Sequence, residues 1–146
     1  MADYQFGKGV GARLFPENVE IIYSKRTGRI RYICLSGGRL ATLRPTDGLF
    51  SLSIKGAKRI AENAIPAKCF VIVQNSVSEF IAEGGDAFAA HIIKADDEIR
   101  SKSEVIVVDD SGRVLAVGRA VLSSYETKSF KTGVAVKVRH GCKEES

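Results

Sequence analysis

The chain has 146 residues, 45% of them hydrophobic and 27% charged, proportions that are typical of a soluble globular protein. This length suits one domain or two small ones and is too short for a large enzyme barrel. No apolar run approaches the roughly 18 residues of a membrane helix, and no signal peptide opens the chain. We therefore expect a cytoplasmic protein that has no membrane partner.

The formal charge of +5 is unevenly distributed along the chain. Residues 1–66 carry 11 Lys and Arg against 5 Asp and Glu, whereas residues 67–146 carry 11 against 12. An excess of this kind on one half suggests a polyanionic partner, although basic surfaces are also common without one.

The first half predicts an antiparallel meander followed by a helix. Runs of apolar, β-branched and aromatic residues alternate with turn residues, which indicates strands at 19–23, 29–35, 39–43 and 49–52. Ser53 is a candidate N-cap for a helix with apolar residues at three- and four-residue spacing. The segment 64–67, where the charge balance changes, is the predicted boundary between a domain 1–66 and a domain 67–146.

The second half opens with an apolar strand at 69–73 and a short helix. The helix is expected to begin at a capping box formed by Ser76 and Glu79, and to turn Val77, Phe80 and Ile81 toward the core. A glycine pair at 84–85 is expected to end it, because glycine accepts the left-handed conformation that a C-terminal cap often requires.

The rest of the second half predicts short strands. One strand covers 87–93, a hairpin pairs 104–108 with 114–121, and a second capping box at Ser123 and Glu126 starts a helical turn. The last strand alternates, with Val134, Val136 and Val138 inward and Lys137 and Arg139 outward. Several short strands with few helices are typical of a small barrel.

The sequence gives little support for a catalytic site or a metal site. His91 and His140 lack the spacing of metal ligands and have no recognisable nucleophile nearby. The acidic residues at 96–98 and 109–110 suit turns, and the three cysteines are too far apart for a zinc site or a disulfide framework. We expect no active site, no metal, no cofactor and no small-molecule substrate.

A basic cluster at 25–31 has two explanations that the residues alone leave open. Lys25, Arg26, Arg29 and Arg31 place four cations on one hairpin, where they could neutralise phosphates without reading sequence. The same residues could equally form a solvated strand that resists aggregation.

Motifs in both halves resemble one family. They are DYQFGKG at 3–9, SKRTGRIR at 24–31, LATLR at 40–44 and DGLF at 47–50, followed by DAFAAHII at 86–93, EVIVV at 104–108, LAVGRA at 115–120 and FKTGVAVKVR at 130–139. The first group is similar to the domain preceding PUA in the archaeal tRNA-guanine transglycosylase that makes the archaeosine precursor. The second group is similar to its PUA domain, a small β-barrel that binds structured RNA. The resemblance implies an α+β fold: a small α+β domain of meander and helices, then a PUA pseudobarrel.

The catalytic parts of that family have no counterpart here. Its (β/α)8 barrel needs about 250 residues, and its aspartate nucleophile and Cys/His zinc site are not matched in this sequence. The resemblance therefore implies a free-standing, non-catalytic RNA-binding protein that binds tRNA at the acceptor stem and CCA end. It also implies one of two roles: a separately encoded subunit that works with a transglycosylase catalytic subunit in archaeosine modification, or a stand-alone paralogue.

The resemblance also implies which residues contact RNA. The first expected contact is the helix-to-strand turn together with the exposed side of the last strand, and its residues are Gly84, Gly85, Asp86, Ala87, Phe88, Lys131, Lys137 and Arg139. The second expected contact is the basic hairpin, with Lys25, Arg26, Arg29 and Arg31. The alternative is a PUA-domain adaptor in ribosome assembly or translation that acts through protein contacts. An unrecognised enzyme is a third possibility, which no residue constellation favours.

Overall fold

The computed structural model describes residues 5–6, 11, 14–35, 38–44, 49–61, 69–129 and 132–143. The chain divides into two compact units, Met1–Ala67 and Lys68–Ser146. The predicted boundary segment 64–67 and the predicted contact residue Lys131 lie outside the described residues. Among the residues described, no helix is long and apolar enough to cross a bilayer.

Unit 1 is an antiparallel sheet with a helix. The predicted meander forms β1 (Glu20–Tyr23), β2 (Ile30–Leu35), β3 (Gly38–Leu43) and β4 (Phe50–Leu52), which lie side by side in that order. Helix α1 (Ile54–Ala61) packs against β3 and β4. The backbone N–H of Gly56 donates to the Ser53 hydroxyl at 3.0 Å, so the predicted serine cap is confirmed.

The register of this sheet produces two different faces. One row, whose members are buried except on the edge strand β1, consists of Ile21, Ile33, Ala41 and Leu52. The row on the opposite face is half-buried or exposed and consists of Ile22, Tyr32, Thr42 and Ser51. Because residues paired across strands share a face, the first row joins the core and the second leaves a side of the sheet open.

The core of unit 1 depends on one close helix–strand contact. Ile54, Ala57 and Ile60 of α1 are buried. A Cβ at Gly56 would lie 2.2 Å from the Leu40 carbonyl oxygen, so only glycine lets the helix lie this close to β3. The side chain of Gln5 donates to and accepts from the Phe50 backbone at 2.8 Å each, which satisfies backbone groups of β4.

Unit 2 is a six-stranded sheet that curls into a pseudobarrel. Its strands are β5 (Phe70–Val73), β6 (Ala87–Phe88), β7 (Ile92–Ala95), β8 (Glu104–Val108), β9 (Val114–Ala120) and β10 (Val134–Gly141), in the order β6-β10-β9-β8-β5-β7. Among the strands that the structure describes in this unit, β5 and β8 pair in parallel and the other pairs are antiparallel. The edge strands β6 and β7 are consecutive in the chain, which brings the two edges together and nearly closes the barrel. The expected α+β class, with a barrel in the second half, is confirmed.

The prediction of one strand over 87–93 is wrong. A 3₁₀ turn, Ala89–His91, separates β6 from β7. The reason is a change of partner: β6 pairs with β10, whereas β7 pairs with β5. His91 therefore lies in the turn, half-buried, with its ring edge-on to Phe88 at 6.4 Å between centroids.

The two predicted capping boxes have different outcomes. Helix α3 (Ser124–Ser129) begins as predicted, because Ser123 and Glu126 exchange backbone-to-side-chain hydrogen bonds of 3.1 Å in both directions. Helix α2 (Ser78–Ala82) follows a 3₁₀ turn, Asn75–Val77, and has no side-chain cap, so the box at Ser76 is wrong. Its glutamate, Glu79, is instead paired with Lys143 near the end of β10.

Candidate nucleic-acid interface

The end of α2 sets the backbone path of the predicted contact turn. Gly84 has a φ of 106°, in the left-handed region that favours glycine, as the sequence predicts. The N–H of Gly85 donates to the Phe80 carbonyl and that of Gly84 to the Ile81 carbonyl, both at 2.9 Å. This pair of bonds is a Schellman motif, which stops the helix and turns the chain toward β6.

Phe80 is an exposed aromatic beside this turn, and the sequence did not nominate it as a candidate contact residue. The sequence assigns it to the apolar face of α2, but its side chain is 53% exposed while Ile81 is buried. A Cβ at Gly85 would lie 2.4 Å from the Phe80 ring. The glycine thus gives the ring a place over the turn, on the outside of the barrel.

The fold places the contact turn beside the last strand. Strand β6 pairs with β10, so that Ala87 is opposite Val136 and the exposed Phe88 is opposite Val134. Asp86 has a structural role in this arrangement, because its carboxylate accepts a 2.9 Å hydrogen bond from the Val138 N–H. The turn and the last strand, which lie about fifty residues apart in the chain, are therefore adjacent in the fold.

The exposed cations on this surface include one that sequence reasoning missed. Lys137 is exposed on β10 as predicted, and its cross-strand neighbour on β9 is the exposed Arg119. Neither forms an ion pair with another residue in the described part of the chain. On its other side, Arg119 is opposite Glu104, whose carboxylate binds Arg139. The like charges of Arg119 and Lys137 repel each other, and a bound anion would relieve that repulsion. Ala87, which the sequence also nominates as an RNA contact, is fully buried and does not belong to the exposed surface. We define the turn–strand surface as Phe80, residues 84–86, Phe88, Arg119 and Lys137.

Arg139 differs from Lys137 in its surroundings. Its guanidinium binds the carboxylate of Glu104 with two hydrogen bonds, and the side chain of Glu104 is fully buried. Much of the positive charge of Arg139 is thus balanced within the protein. The prediction that Arg139 contacts RNA remains a prediction, to which this pairing adds a structural role.

The basic hairpin of unit 1 is exposed. Lys25 and Arg26 lie in the turn between β1 and β2, where Gly28 has a φ of 72°. Arg29 and Arg31 follow on the β2 side, and both side chains are exposed. None of the four forms an ion pair with a residue that the structure describes.

Arg29 and Arg31 also line a groove of about 540 Å³ in unit 1. We call it the arginine groove, and its lining residues are Ser24, Thr27, Arg29, Ile30, Arg31, Tyr32, Arg39, Thr42, Leu43 and Arg44. The sequence gives no signal for this site, because β2 and β3 each supply part of it and the pairing of these strands creates it.

Other titratable groups have structural roles. Burial raises the pKa of the Cys69 thiol, which makes it a poor nucleophile. Burial also raises the pKa of Asp96, whose carboxylate accepts a 2.7 Å bond from the Phe70 N–H. In the described ranges no three His, Cys, Asp or Glu side chains lie where they could hold a metal together.

A small α+β unit followed by a PUA-type pseudobarrel with an exposed turn and strand defines the class of this protein. Residues 70–142 match the PUA domain, and residues 1–66 match the patch-forming domain C2 of tRNA-guanine transglycosylase. The chain belongs to the PUA-domain family, with a C2 domain ahead of the PUA domain. The predicted resemblance to the C-terminal region of archaeal tRNA-guanine transglycosylase is confirmed for these two domains.

Relatives in archaea share both domains. The chain is 39% identical to the tRNA-guanine(15) transglycosylase of Methanobrevibacter smithii over 144 residues, covering 99% of this chain and 22% of that enzyme. It is 42% identical to that of Thermoplasma acidophilum over 142 residues, covering 97% and 22%. The chain thus spans less than a quarter of the length of these curated relatives. The crystal structure of a hypothetical protein from Pyrococcus horikoshii is 25% identical, with a TM-score of 0.74 over 96% of this chain and 84% of that one.

Proposed function

We propose that the protein binds structured RNA, and tRNA in particular, through the turn–strand surface. The observation that supports this most is the pairing of β6 with β10, which places a half-buried glycine turn with the exposed Phe80 and Phe88 beside two exposed cations. Small residues let the backbone approach phosphates and 2′-hydroxyls, and A-form RNA is recognised largely by shape. Exposed aromatic rings can in addition stack on the bases of unpaired ends.

The two units would contribute differently to binding. Residues 67–146 are nearly neutral overall, whereas residues 1–66 carry the net positive charge. We infer that the hairpin cations Lys25, Arg26, Arg29 and Arg31 supply much of the long-range attraction to phosphates. The turn–strand surface would then recognise the shape of the acceptor stem and CCA end.

A fluorescence anisotropy titration over several salt concentrations tests this proposal. Intact tRNA, tRNA lacking its CCA end and a DNA duplex of similar length are the ligands. We expect tRNA to bind best, CCA removal to weaken binding, and each phosphate contact to add roughly 0.9 or less to the log–log salt slope. Equal affinity for tRNA and the DNA duplex would contradict the proposal.

A variant pair locates the contact. Arg119→Gln removes a cation from the turn–strand surface, and Arg100→Gln makes the same change at an exposed residue outside it. We expect weaker tRNA binding from the first variant and wild-type binding from the second. Equal effects from both would indicate that only total charge matters.

We further propose that this binding serves archaeosine modification of tRNA. The relatives that share both domains are tRNA-guanine transglycosylases. In this role the chain would bind the tRNA while a separate transglycosylase catalytic subunit modifies it. The test adds this chain to a transglycosylase of Methanobrevibacter smithii from which the matching region has been deleted. We expect a lower KM for tRNA with little change in kcat. An unchanged KM, with tRNA binding intact, would reject this accessory role alone.

One observation favours a second candidate, a protein-binding adaptor. Strand β1 lies at the edge of its sheet, and Ile21, Ile22 and Tyr23 are exposed on it. An exposed apolar edge strand can accept a strand from another protein. Charge reversal at Arg29 and Arg31 separates the two functions. Loss of tRNA affinity with intact protein complexes supports RNA binding, whereas Ile22→Lys should disrupt the complexes if the adaptor function is real.

A further inference from the structure

Arginines dominate the described lining of the arginine groove. Of the ten described residues that line it, four are arginines and none is Asp or Glu. Arg29, Arg31 and Arg39 are exposed, whereas Arg44 is buried where it lines the groove. The first three form no ion pair with any residue in the described ranges. Guanidinium groups gathered in this way repel one another, and a bound anion would relieve that repulsion.

The groove also contains an aromatic ring that is already in contact with cations. The guanidinium carbon of Arg39 lies 3.8 Å from the centroid of the Tyr32 ring, and that of Arg31 lies 4.8 Å from it. These are cation–π contacts, and they hold two flexible arginine side chains beside one half-buried ring. A guanidinium that rests on an aromatic ring presents its other flat side, on which a nucleobase can stack.

We propose that the arginine groove binds one unpaired nucleotide of RNA. The base stacks on the Tyr32–Arg39 pair, and Arg29 and Arg31 bind the adjoining phosphates. This proposal deepens the proposed RNA-binding function and rests on it, because it assigns a second contact, for an unpaired nucleotide, to the unit that carries the net charge.

The size and walls of the groove favour a nucleotide over a free phosphate. A volume of about 540 Å³ lies within the roughly 300–1,000 Å³ of small-ligand sites, and a phosphate alone would leave most of it empty. Ile30 and Leu43 add apolar wall, and Ser24, Thr27 and Thr42 add hydroxyl groups. Apolar walls for a base and guanidinium groups for phosphates are the two elements that single-stranded RNA sites combine.

The test separates stacking from charge with a pair of matched variants. Arg39→Lys keeps the positive charge and removes the planar group, and Arg100→Lys makes the same change at an exposed position outside the groove. The probes are a labelled five-nucleotide uridine RNA and a five-nucleotide RNA without bases, titrated by anisotropy. Circular dichroism and thermal unfolding confirm that both variants remain folded.

Stacking of one base predicts a specific pattern. The wild type and Arg100→Lys should bind the uridine RNA about fivefold or more tighter than the abasic RNA. Arg39→Lys should lose that difference and keep the wild-type salt dependence. If wild type binds both probes equally, the groove is a general anion site and the proposal is overturned. If wild type prefers the uridine RNA but Arg39→Lys does so equally, the base is bound elsewhere and the proposal is again overturned.

A failure of this proposal can be told apart from a failure of the proposed function. Intact tRNA is titrated in parallel with wild type, Arg39→Lys and Arg119→Gln. If wild type binds tRNA and loses affinity with Arg119→Gln but shows no base preference with the short RNAs, only the groove proposal is wrong. If wild type does not bind tRNA at all, the proposed function itself fails.

Discussion

The guanidinium of Arg139 forms two hydrogen bonds, of 3.0 and 2.5 Å, with the carboxylate of Glu104, whose side chain is fully buried. Arg139 itself retains about a third of its side-chain exposure. This pair joins the barrel strands β8 and β10, which are not neighbours in the sheet because β9 lies between them. Removing Arg139 would leave a buried carboxylate without the bidentate partner that neutralises it.

Arg139→Met should therefore affect stability more than RNA affinity. We expect the free energy of unfolding to fall by about 3 kcal/mol, because one partner of a buried ion pair is lost. Urea unfolding measures this value. Replacing Glu104 by Gln in the same chain should restore part of the stability, since the buried charge is then absent. Unchanged stability together with lost tRNA binding would show that Arg139 acts mainly as an RNA contact.

Lys137→Gln should have the opposite effect. Its side chain is exposed and directly opposite Arg119, so its removal relieves a repulsion and should leave stability unchanged or raise it by a few tenths of a kcal/mol. We expect weaker tRNA binding and a salt slope that is smaller by about one contact. Thermal unfolding and anisotropy at three salt concentrations measure the two effects. A clear loss of stability would mean that Lys137 has a structural partner.

Gly85→Ala should alter the turn–strand surface without unfolding the barrel. The new Cβ would lie 2.4 Å from the Phe80 ring, and that ring is on the outside and can swing away. We expect weaker tRNA binding with a stability loss of about 1 kcal/mol or less, in the range of ordinary surface substitutions. The matched control is Gly112→Ala, where φ is 87° and no atom lies within 4 Å of the new Cβ. That variant should lose some stability because its backbone is strained, and it should bind tRNA normally.

Asp109→Asn should lower stability at neutral pH and matter little in acid. Burial alone would raise the pKa of Asp109, but hydrogen bonds from the Arg113 and Ser111 backbone and from the Arg113 side chain lower it overall. A lowered folded-state pKa gives stability that is present above the unfolded value of about 4 and is lost as pH falls below it. We expect a loss of about 1–3 kcal/mol at pH 7. The loss should shrink as the pH falls below about 4.

Urea unfolding at several pH values checks this prediction. Asp110→Asn is the control, because Asp110 is the exposed neighbour of Asp109 in the same hairpin turn. It should change stability little at any of these pH values. A loss for Asp109→Asn that is independent of pH would contradict the role of its charge.

Most of the secondary structure could be predicted because it depends on local signals. Turn residues bounded the meander of unit 1, and Gly84 marked the end of α2 through a conformation that glycine adopts most easily. The break between β6 and β7 could not be predicted, since an alternating pattern does not show which strand each residue pairs with. The uncapped start of α2 was also missed, because Glu79 pairs with Lys143, 64 residues along the chain.

The sequence by itself determined the strand periods, the helix ends and the uneven charge, since each is a property of neighbouring residues. It also determined the family, because motifs in both halves occur in the order of one known pair of domains. Only the tertiary structure decided which of the exposed cations have a carboxylate beside them that neutralises their charge. Arg139 on β10 binds Glu104 on β8 across the intervening strand β9, and Lys137 lies opposite Arg119 through the pairing of β10 with β9. The arginine groove has the same physical origin, because it exists only once the pairing of β2 with β3 brings Tyr32 and Arg39 together.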